Sequence, residues 1–249
     1  MIVVGAGLAG ITCALVCARA GLSVLVFERG EYPGSKNLSG GVIYTPVINE
    51  LLPDFFQEAP LERPVTKRAF AFLSKDASLK IELSFREFAQ PPFNHSFTVL
   101  RGKFDRWYAE KAEAEGAFIV NETVVDDVIW DGDRVVGVKA RREEGEMLAD
   151  CVVIAEGANS FLTERMGLRK PFSPDEMVTA AKEVWSLPAE KIEERFCLEP
   201  GEGISMECRG EGASMGMVGG GFIYTNKDSL SVGIGANIGD IMRRRVTPN

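Results

Sequence analysis

The chain has 249 residues, 45% of them hydrophobic, so it is long enough to bury a sizeable core and to hold two domains. Its net charge of −8 argues against general nucleic-acid binding, because phosphate backbones select basic surfaces. Five cysteines without a C-x-x-C pair, and a single histidine, His95, argue against an iron–sulfur cluster and a histidine-rich metal site. We expect a reducing, cytoplasmic compartment, and neither a membrane span nor a signal peptide.

The N-terminal stretch IVVGAGLAG combines a short apolar strand with a glycine motif. The motif, Gly5-Ala6-Gly7-Leu8-Ala9-Gly10, has the G-x-G-x-x-G spacing of dinucleotide-binding proteins. Gly5 makes the tight turn out of the strand, Gly7 lets the backbone approach a pyrophosphate, and Gly10 lets the next helix pack closely. The N-terminus of that helix offers N–H groups and partial positive charge to phosphates.

The residues that follow support this interpretation. An apolar helix is predicted over residues 11–20 and a second apolar strand over residues 23–27. This strand ends in Glu28, where a carboxylate can bind a ribose hydroxyl. The loop of residues 34–41, GSKNLSGG, has the composition of a backbone that follows a ligand closely, and a flexible surface loop is the alternative.

Further along the chain, the patterns alternate between short strands and helices. Before residue 120 they predict a helix over 46–56, a linker over 60–64, strands over 69–73, 79–83 and 96–100, and a helix over 102–116. After it they predict a strand over 118–121, a hairpin over 124–140 and a strand over 151–155. The remainder is β-rich, with strands over 178–184, 203–208 and 213–218 and a hairpin over 221–225 and 229–236.

The order of these elements distinguishes two cofactors that share the glycine motif. A small antiparallel meander follows the third strand, and the last parallel strand ends in the Gly-containing turn Glu156-Gly157. That insertion is typical of FAD-binding folds of the glutathione-reductase and hydroxylase type, so FAD is favoured over NAD. The predicted fold class is α/β (α+β overall), with a three-layer Rossmann-like domain and a second, largely antiparallel β-sheet domain that is incomplete.

Domain boundaries follow from the same order. We expect residues 1–63 and 100–171 to form the FAD-binding domain. We expect residues 64–99 and 172–249 to form the substrate or partner domain.

Several segments, in order and spacing, resemble one family. They are the glycine motif, Glu28-Arg29-Gly30, Lys36-Asn37-Leu38-Ser39-Gly40-Gly41, Ala59-Pro60-Leu61, Leu100-Arg101 with Phe104-Asp105, Ala155-Glu156-Gly157-Ala158-Asn159-Ser160, and GGGFIYTN from Gly219. Together they resemble the FixC flavoproteins, relatives of electron-transfer-flavoprotein:quinone oxidoreductase and, more distantly, of geranylgeranyl reductases. The resemblance covers essentially the whole chain.

The resemblance implies an FAD-dependent oxidoreductase in electron transfer. Such a protein accepts electrons from an electron-transfer flavoprotein and passes them to a ferredoxin-like iron–sulfur partner or to quinone. It would be cytoplasmic, with peripheral contact at the inner face of the membrane. The alternatives are a geranylgeranyl-reductase-like or hydroxylase-like flavoenzyme acting on an apolar substrate, and an inactive, truncated FAD-binding fragment.

By position, the resemblance also implies roles for individual residues. The predicted cofactor-binding set is Gly5, Gly7, Leu8, Ala9 and Gly10 at the pyrophosphate; Glu28 at the adenosine ribose, with Arg29 beside it; Arg101 near the phosphates; Val125 at the adenine through its backbone; Ala155 and Gly157 in a turn over the cofactor; and Ser39, Gly40 and Gly41 along the flavin. For Arg101 a surface position is the alternative, and for Glu156 phosphate contact and helix capping are open alternatives.

No catalytic acid or base is assigned, because a bound flavin performs the redox chemistry. The family continues into a C-terminal part with a Gly-Asp-Ala motif that holds the flavin's ribityl chain. We therefore expect a truncated chain that lacks part of its first strand, binds FAD weakly and self-associates through uncovered sheet.

Overall fold

The computed structural model describes residues 1–38 and 41–246. The strands are β1 Ile2–Val4, β2 Leu25–Phe27, β3 Val42–Tyr44, β4 Leu61–Leu73, β5 Ser78–Ser84, β6 Ser96–Val99, β7 Phe118–Val120, β8 Val125–Asp131, β9 Arg134–Ala140, β10 Glu146–Leu148, β11 Val152–Ile154, β12 Val178–Ser186, β13 Gly203–Arg209, β14 Gly219–Thr225 and β15 Ser229–Asn237. The helices are α1 Leu8–Arg19, α2 Thr45–Leu51, α3 Arg101–Ala114, α4 Phe161–Arg165, α5 Ala189–Phe196, α6 Glu211–Ser214 and α7 Ile238–Arg244.

The first compact unit comprises Met1–Asn37 and Arg101–Pro171. Its parallel sheet has the strand order β11-β1-β2-β7, and a separate antiparallel sheet has the order β10-β9-β8. The two sheets share a core in which Val4 and Phe27 pack with Val138 and Leu162. The helices α1 and α3 form a further layer and contact each other. The predicted three-layer FAD-binding fold is confirmed.

The second compact unit comprises Leu38–Leu100 and Phe172–Asn249. Its sheet has the order β12-β15-β14-β13-β4-β6-β3, and β5 pairs with β4. All these pairings are antiparallel except that of β13 with β4, so the predicted, largely antiparallel sheet is confirmed. Ile192 and Leu198 pack against Ala69 and Ile204 of this sheet and form its core.

Two predicted elements are wrong. The segment 60–64 is not a linker, because β4 begins at Leu61 and tolerates Pro64 at an irregularity in its pairing with β6. The segment 213–218 is not a strand. The chain turns at Gly210, with φ of 99°, and forms the short helix α6.

The division into units also differs from the predicted boundary at residue 63. Residues 38–63 lie in the second unit, because β3 pairs with β6 and β4 starts before residue 63. In the part of the chain that the structure describes, no helix is both long enough and apolar enough to cross a membrane.

Candidate cofactor site

A cavity of about 400 Å³ lies in the first unit, at the carboxyl ends of β1, β2 and β11. Open parallel sheets bind ligands at this edge, and the volume lies within the range of about 300–1,000 Å³ for small-molecule sites. The predicted residues that line it are Gly5, Gly7, Glu28, Arg29, Val125, Ala155 and Gly157. The fold therefore brings together half of the predicted set.

Glycine is required at the three motif positions for different structural reasons. At Gly5, with φ of 101°, a Cβ atom would lie 2.5 Å from the carbonyl oxygen of Ala155. At Gly10 a Cβ atom would lie 1.9 Å from the carbonyl oxygen of Gly5. At Gly7 it would meet no atom within 4 Å, although Gly7 lines the cavity. Packing within the chain thus requires Gly5 and Gly10, whereas a ligand against the backbone would require Gly7.

The N-terminus of α1 has the features of an anion site. Gly7 is its N-cap and offers no side chain to the first N–H groups of the helix, and the first turn carries no acidic residue. The positive end of the helix dipole is therefore left without a compensating carboxylate from this turn. These features fit the diphosphate of a dinucleotide.

Glu28 is 9% exposed and is fixed by two backbone groups. Its Oε2 atom accepts a hydrogen bond from the N–H of Ala6 at 2.9 Å, and its Oε1 atom accepts one from the N–H of Gly30 at 2.6 Å. A carboxylate offers about four acceptor positions, so each oxygen retains capacity for a hydroxyl donor. The carboxylate is held at the cavity wall in a fixed orientation.

Glu156 caps a helix. One carboxylate oxygen accepts from the N–H of Leu162 at 2.8 Å, and the other accepts from the N–H and the hydroxyl of Thr163 at 2.8 and 2.9 Å. These are the N-terminal groups of α4, so the structure favours capping over phosphate contact. Since Glu156 also lines the cavity, its cap fixes the turn that contains Gly157.

The facing wall is built around β8. Arg165 donates to the carbonyl oxygen of Asp126, and Arg141 pairs with the Asp126 carboxylate. The hydrogen bond from Arg141 lowers the pKa of Asp126, which is partly exposed. Both arginines line the cavity beside Val125, and sequence reasoning missed them, because neither belongs to a recognisable motif.

Arg101 lies in the first unit, but it is not among the described residues that line the cavity. Its Nε and Nη2 atoms donate to the two carboxylate oxygens of Asp105, each at 2.7 Å. The side-chain amide of Asn37 donates to the same carboxylate at 2.6 Å. Asp105 is 1% exposed. Through its hydrogen bond with Asn37 it connects α3 to the loop of Gly34, Lys36 and Asn37, which lines the cavity.

The other predicted residues are placed differently. Leu8, Ala9 and Gly10 belong to α1 and do not line the cavity, as far as the described residues show. Gly41 lies in the second unit, where its carbonyl oxygen accepts from the N–H of Val99 at 2.8 Å. Ser39 and Gly40 lie outside the described residues. Within residues 1–38 and 41–246, no three His, Cys, Asp or Glu side chains are grouped as metal ligands.

Two family models, each described as FAD dependent oxidoreductase, match residues 1–157 and 93–246. The chain therefore belongs to the FAD-dependent oxidoreductases, and the predicted cofactor, FAD, is confirmed.

Two curated relatives resemble the chain over almost its whole length. Protein FixC of Bradyrhizobium diazoefficiens is 43% identical over 248 residues, which are 99% of this chain and 57% of that protein. The probable electron transfer flavoprotein-quinone oxidoreductase YgcN of Escherichia coli is 43% identical over 246 residues, 99% of this chain and 56% of that protein. The resemblance to FixC is confirmed, and the chain spans little more than half the length of these relatives.

A solved structure shows the same fold. The geranylgeranyl bacteriochlorophyll reductase-like protein of Thermoplasma acidophilum superposes with a TM-score of 0.75 at 22% identity. The match covers 98% of this chain and 58% of that one. At this identity the likeness concerns the fold alone.

Proposed function

We propose that this chain is an electron-transfer oxidoreductase that uses FAD, accepts electrons from an electron-transfer flavoprotein and passes them to a ferredoxin-like iron–sulfur protein or to quinone. The observation that carries the proposal is the 43% identity to a FixC protein over 99% of the chain. The name of the relative YgcN, probable electron transfer flavoprotein-quinone oxidoreductase, supports an electron-transfer flavoprotein as the electron donor.

The first unit would hold the ADP part of FAD. Gly7 and the N-terminus of α1 would face the pyrophosphate, because no side chain intervenes there. Glu28 would accept hydrogen bonds from the adenosine ribose, and the backbone of Val125 would bind the adenine. Gly157 would lie against the cofactor in the turn that Glu156 caps.

Bound FAD would supply the redox chemistry, so the protein's part is to bind, orient and shield it. Ser39, Gly40 and Gly41 remain proposed flavin contacts. Arg101 remains a proposed neighbour of the phosphates, with its guanidinium oriented by Asp105. A cytoplasmic location with peripheral membrane contact is part of the proposal.

Cofactor choice is tested by titrating the apoprotein with FAD and, separately, with NADH, followed by fluorescence. We expect saturable binding of FAD and much weaker binding of NADH. Gly7→Val should abolish FAD binding, because its side chain would occupy the place of the pyrophosphate. Gly102→Val is the matched control, since a Cβ atom there meets only the Tyr32 hydroxyl at 3.9 Å and Gly102 does not line the cavity. A Gly7→Val variant that binds FAD as tightly as the parent and Gly102→Val would show that the glycine loop is not the site.

Electron transfer is tested by anaerobic stopped-flow mixing of the FAD-loaded chain with a reduced electron-transfer flavoprotein. We expect bleaching of the bound FAD absorbance, followed by reoxidation on adding a ferredoxin or a soluble quinone. FAD that binds with one equivalent per chain and yet stays oxidised would contradict the donor while leaving the cofactor assignment intact.

A further inference from the structure

The strand β5 forms an exposed edge of the second unit. Among the described strands it pairs only with β4. Its sequence, Ser78 to Ser84, reads SLKIELS, so apolar and polar side chains alternate between the two faces of the sheet. The apolar residues of β5 and the two phenylalanines that face them on β4 form one row of exposed side chains, beside Arg68, which faces Leu83: Leu79 60%, Ile81 49%, Leu83 48%, Phe70 37% and Phe72 48%.

One hydrogen bond shows which residues of β5 direct their backbone groups away from β4. The N–H of Phe85, directly after β5, donates to the carbonyl oxygen of Thr66, so the backbone of Phe85 faces β4. Backbone groups alternate in direction along an antiparallel strand. Leu79, Ile81 and Leu83 therefore direct their N–H and C=O groups to β4, while the even-numbered residues of β5 direct theirs outward.

The sequence of β5 is complementary to itself when reversed. An antiparallel copy centred on Ile81 places Lys80 opposite Glu82 and Glu82 opposite Lys80. The same register places Leu79 opposite Leu83, and it brings the outward-facing even residues of the two copies together. Opposite charges and apolar side chains in directly opposed positions are the pairs that stabilise an antiparallel ladder.

The geometry points to β5 as the interface of a two-fold dimer, in which a second copy of this chain pairs with β5 in the register centred on Ile81. Such an interface is isologous, because the same residues contribute from both copies. It satisfies the outward N–H and C=O groups, and it joins the two exposed apolar rows across the axis. Each Glu82 already lies 3.2 Å from Lys67 and 3.0 Å from Lys80 of its own chain, and in the dimer it also lies opposite Lys80 of the second copy.

The charge pattern selects this register. Outward residues must meet outward residues, so the pairing slips in steps that keep even positions opposite even ones. A shift of the register by two residues in either direction places Lys80 opposite Lys80 or Glu82 opposite Glu82, and like charges in opposed positions are unfavourable. The edge strand β12 offers no such match. Its Lys182 and Glu183 are adjacent, so their backbone groups point in opposite directions, and they never become directly opposed in a copy of the strand.

The test is sedimentation velocity of the full chain and its charge variants over a dilution series. We expect the parent to be a dimer. We expect the dissociation constant of the dimer to rise about tenfold or more in Lys80→Glu and in Glu82→Lys, because in each variant both symmetry-related pairs become like-charged. A mixture of the two variants should recover the dimer. In the mixed pair one chain carries glutamate at both positions and the other carries lysine at both, so every opposed pair is again oppositely charged. That recovery also shows that both variants fold.

Two further variants separate this interface from non-specific association. Lys75→Glu makes the same charge change in the exposed turn before β5 and should leave the dimer intact. In a background with Cys151 and Cys197, the exposed cysteines, replaced by serine, Ile81→Cys should form an intermolecular disulfide on oxidation, because residue 81 meets its own copy, whereas Leu79→Cys should not. A monomeric parent, a dimer that persists in Lys80→Glu, or a mixture that stays monomeric would overturn the proposal and leave the apolar row to another partner.

Discussion

Gly7 and Gly10 stand three residues apart in one motif, yet their substitution by alanine should have opposite consequences. In Gly10→Ala the Cβ atom would lie 1.9 Å from the carbonyl oxygen of Gly5, so α1 and the turn must separate by about 1 Å to restore contact near 3.0 Å. Overpacking of this kind costs roughly 3 kcal/mol at the upper end of its usual range, and alanine returns about 1 kcal/mol through helix propensity. The net loss is about 2 kcal/mol.

For a chain of this size, that loss should lower the Tm of the apoprotein by roughly 4–8 °C. In Gly7→Ala the Cβ atom meets no protein atom within 4 Å, so the change costs at most about 1 kcal/mol, through the weaker N-cap. Its FAD affinity should nevertheless fall about tenfold or more, because a methyl group displaces the pyrophosphate from the backbone.

The assay is thermal unfolding followed by circular dichroism without FAD, together with FAD titration of each variant. Equal Tm values for Gly10→Ala and the parent would refute the packing argument. A Gly7→Ala variant that loses as much stability as Gly10→Ala would refute the assignment of Gly7 to the ligand.

Two further predictions concern buried and partly buried carboxylates. Asp105→Ala should destabilise the first unit by about 3 kcal/mol in chemical denaturation, because it leaves a charged partner, Arg101, without its carboxylate, and it should weaken FAD binding more than Asp105→Asn does. In the second unit, the N–H of Gly201 and then the guanidinium of Arg63 lower the pKa of Glu193 below its usual value. The stability it contributes is therefore present above the unfolded pKa of about 4.3 and is lost as the pH falls through the lower folded pKa. Glu193→Gln should flatten this part of the acid limb in denaturation measured between about pH 3 and 6, and an unchanged limb would contradict the assignment.

The elements that sequence reasoning found in the first unit are those with local causes. The spacing of Gly5, Gly7 and Gly10 predicts a strand, a turn and a helix within 20 residues, and Glu28 directly follows the next strand, β2. The hairpin at Asp131-Gly132-Asp133 is equally local, and β8 and β9 pair on either side of it.

The errors have long-range causes. Pro64 looks like part of a linker, because the pairing irregularity that accommodates it depends on β6, more than 30 residues away. From the sequence, the segment 38–63 is predicted to belong to the first domain. The pairing of β3 with β6 places it in the second unit instead. Neither pairing leaves a signal in the segment itself.

The sequence by itself determined the glycine loop, the carboxylate after the second strand and the meander that favours FAD, since each follows from spacing and local backbone preference. Only the tertiary structure decided that Glu156 caps α4 and that Arg101 pairs with Asp105. It also decided that Arg141 and Arg165 flank the cavity. An arginine can pair with a phosphate or a carboxylate, and a glutamate can accept hydrogen bonds from a helix N-terminus or from a ligand, by similar chemistry. Which partner each meets depends on the packing of distant segments, and that is absent from the order of the residues.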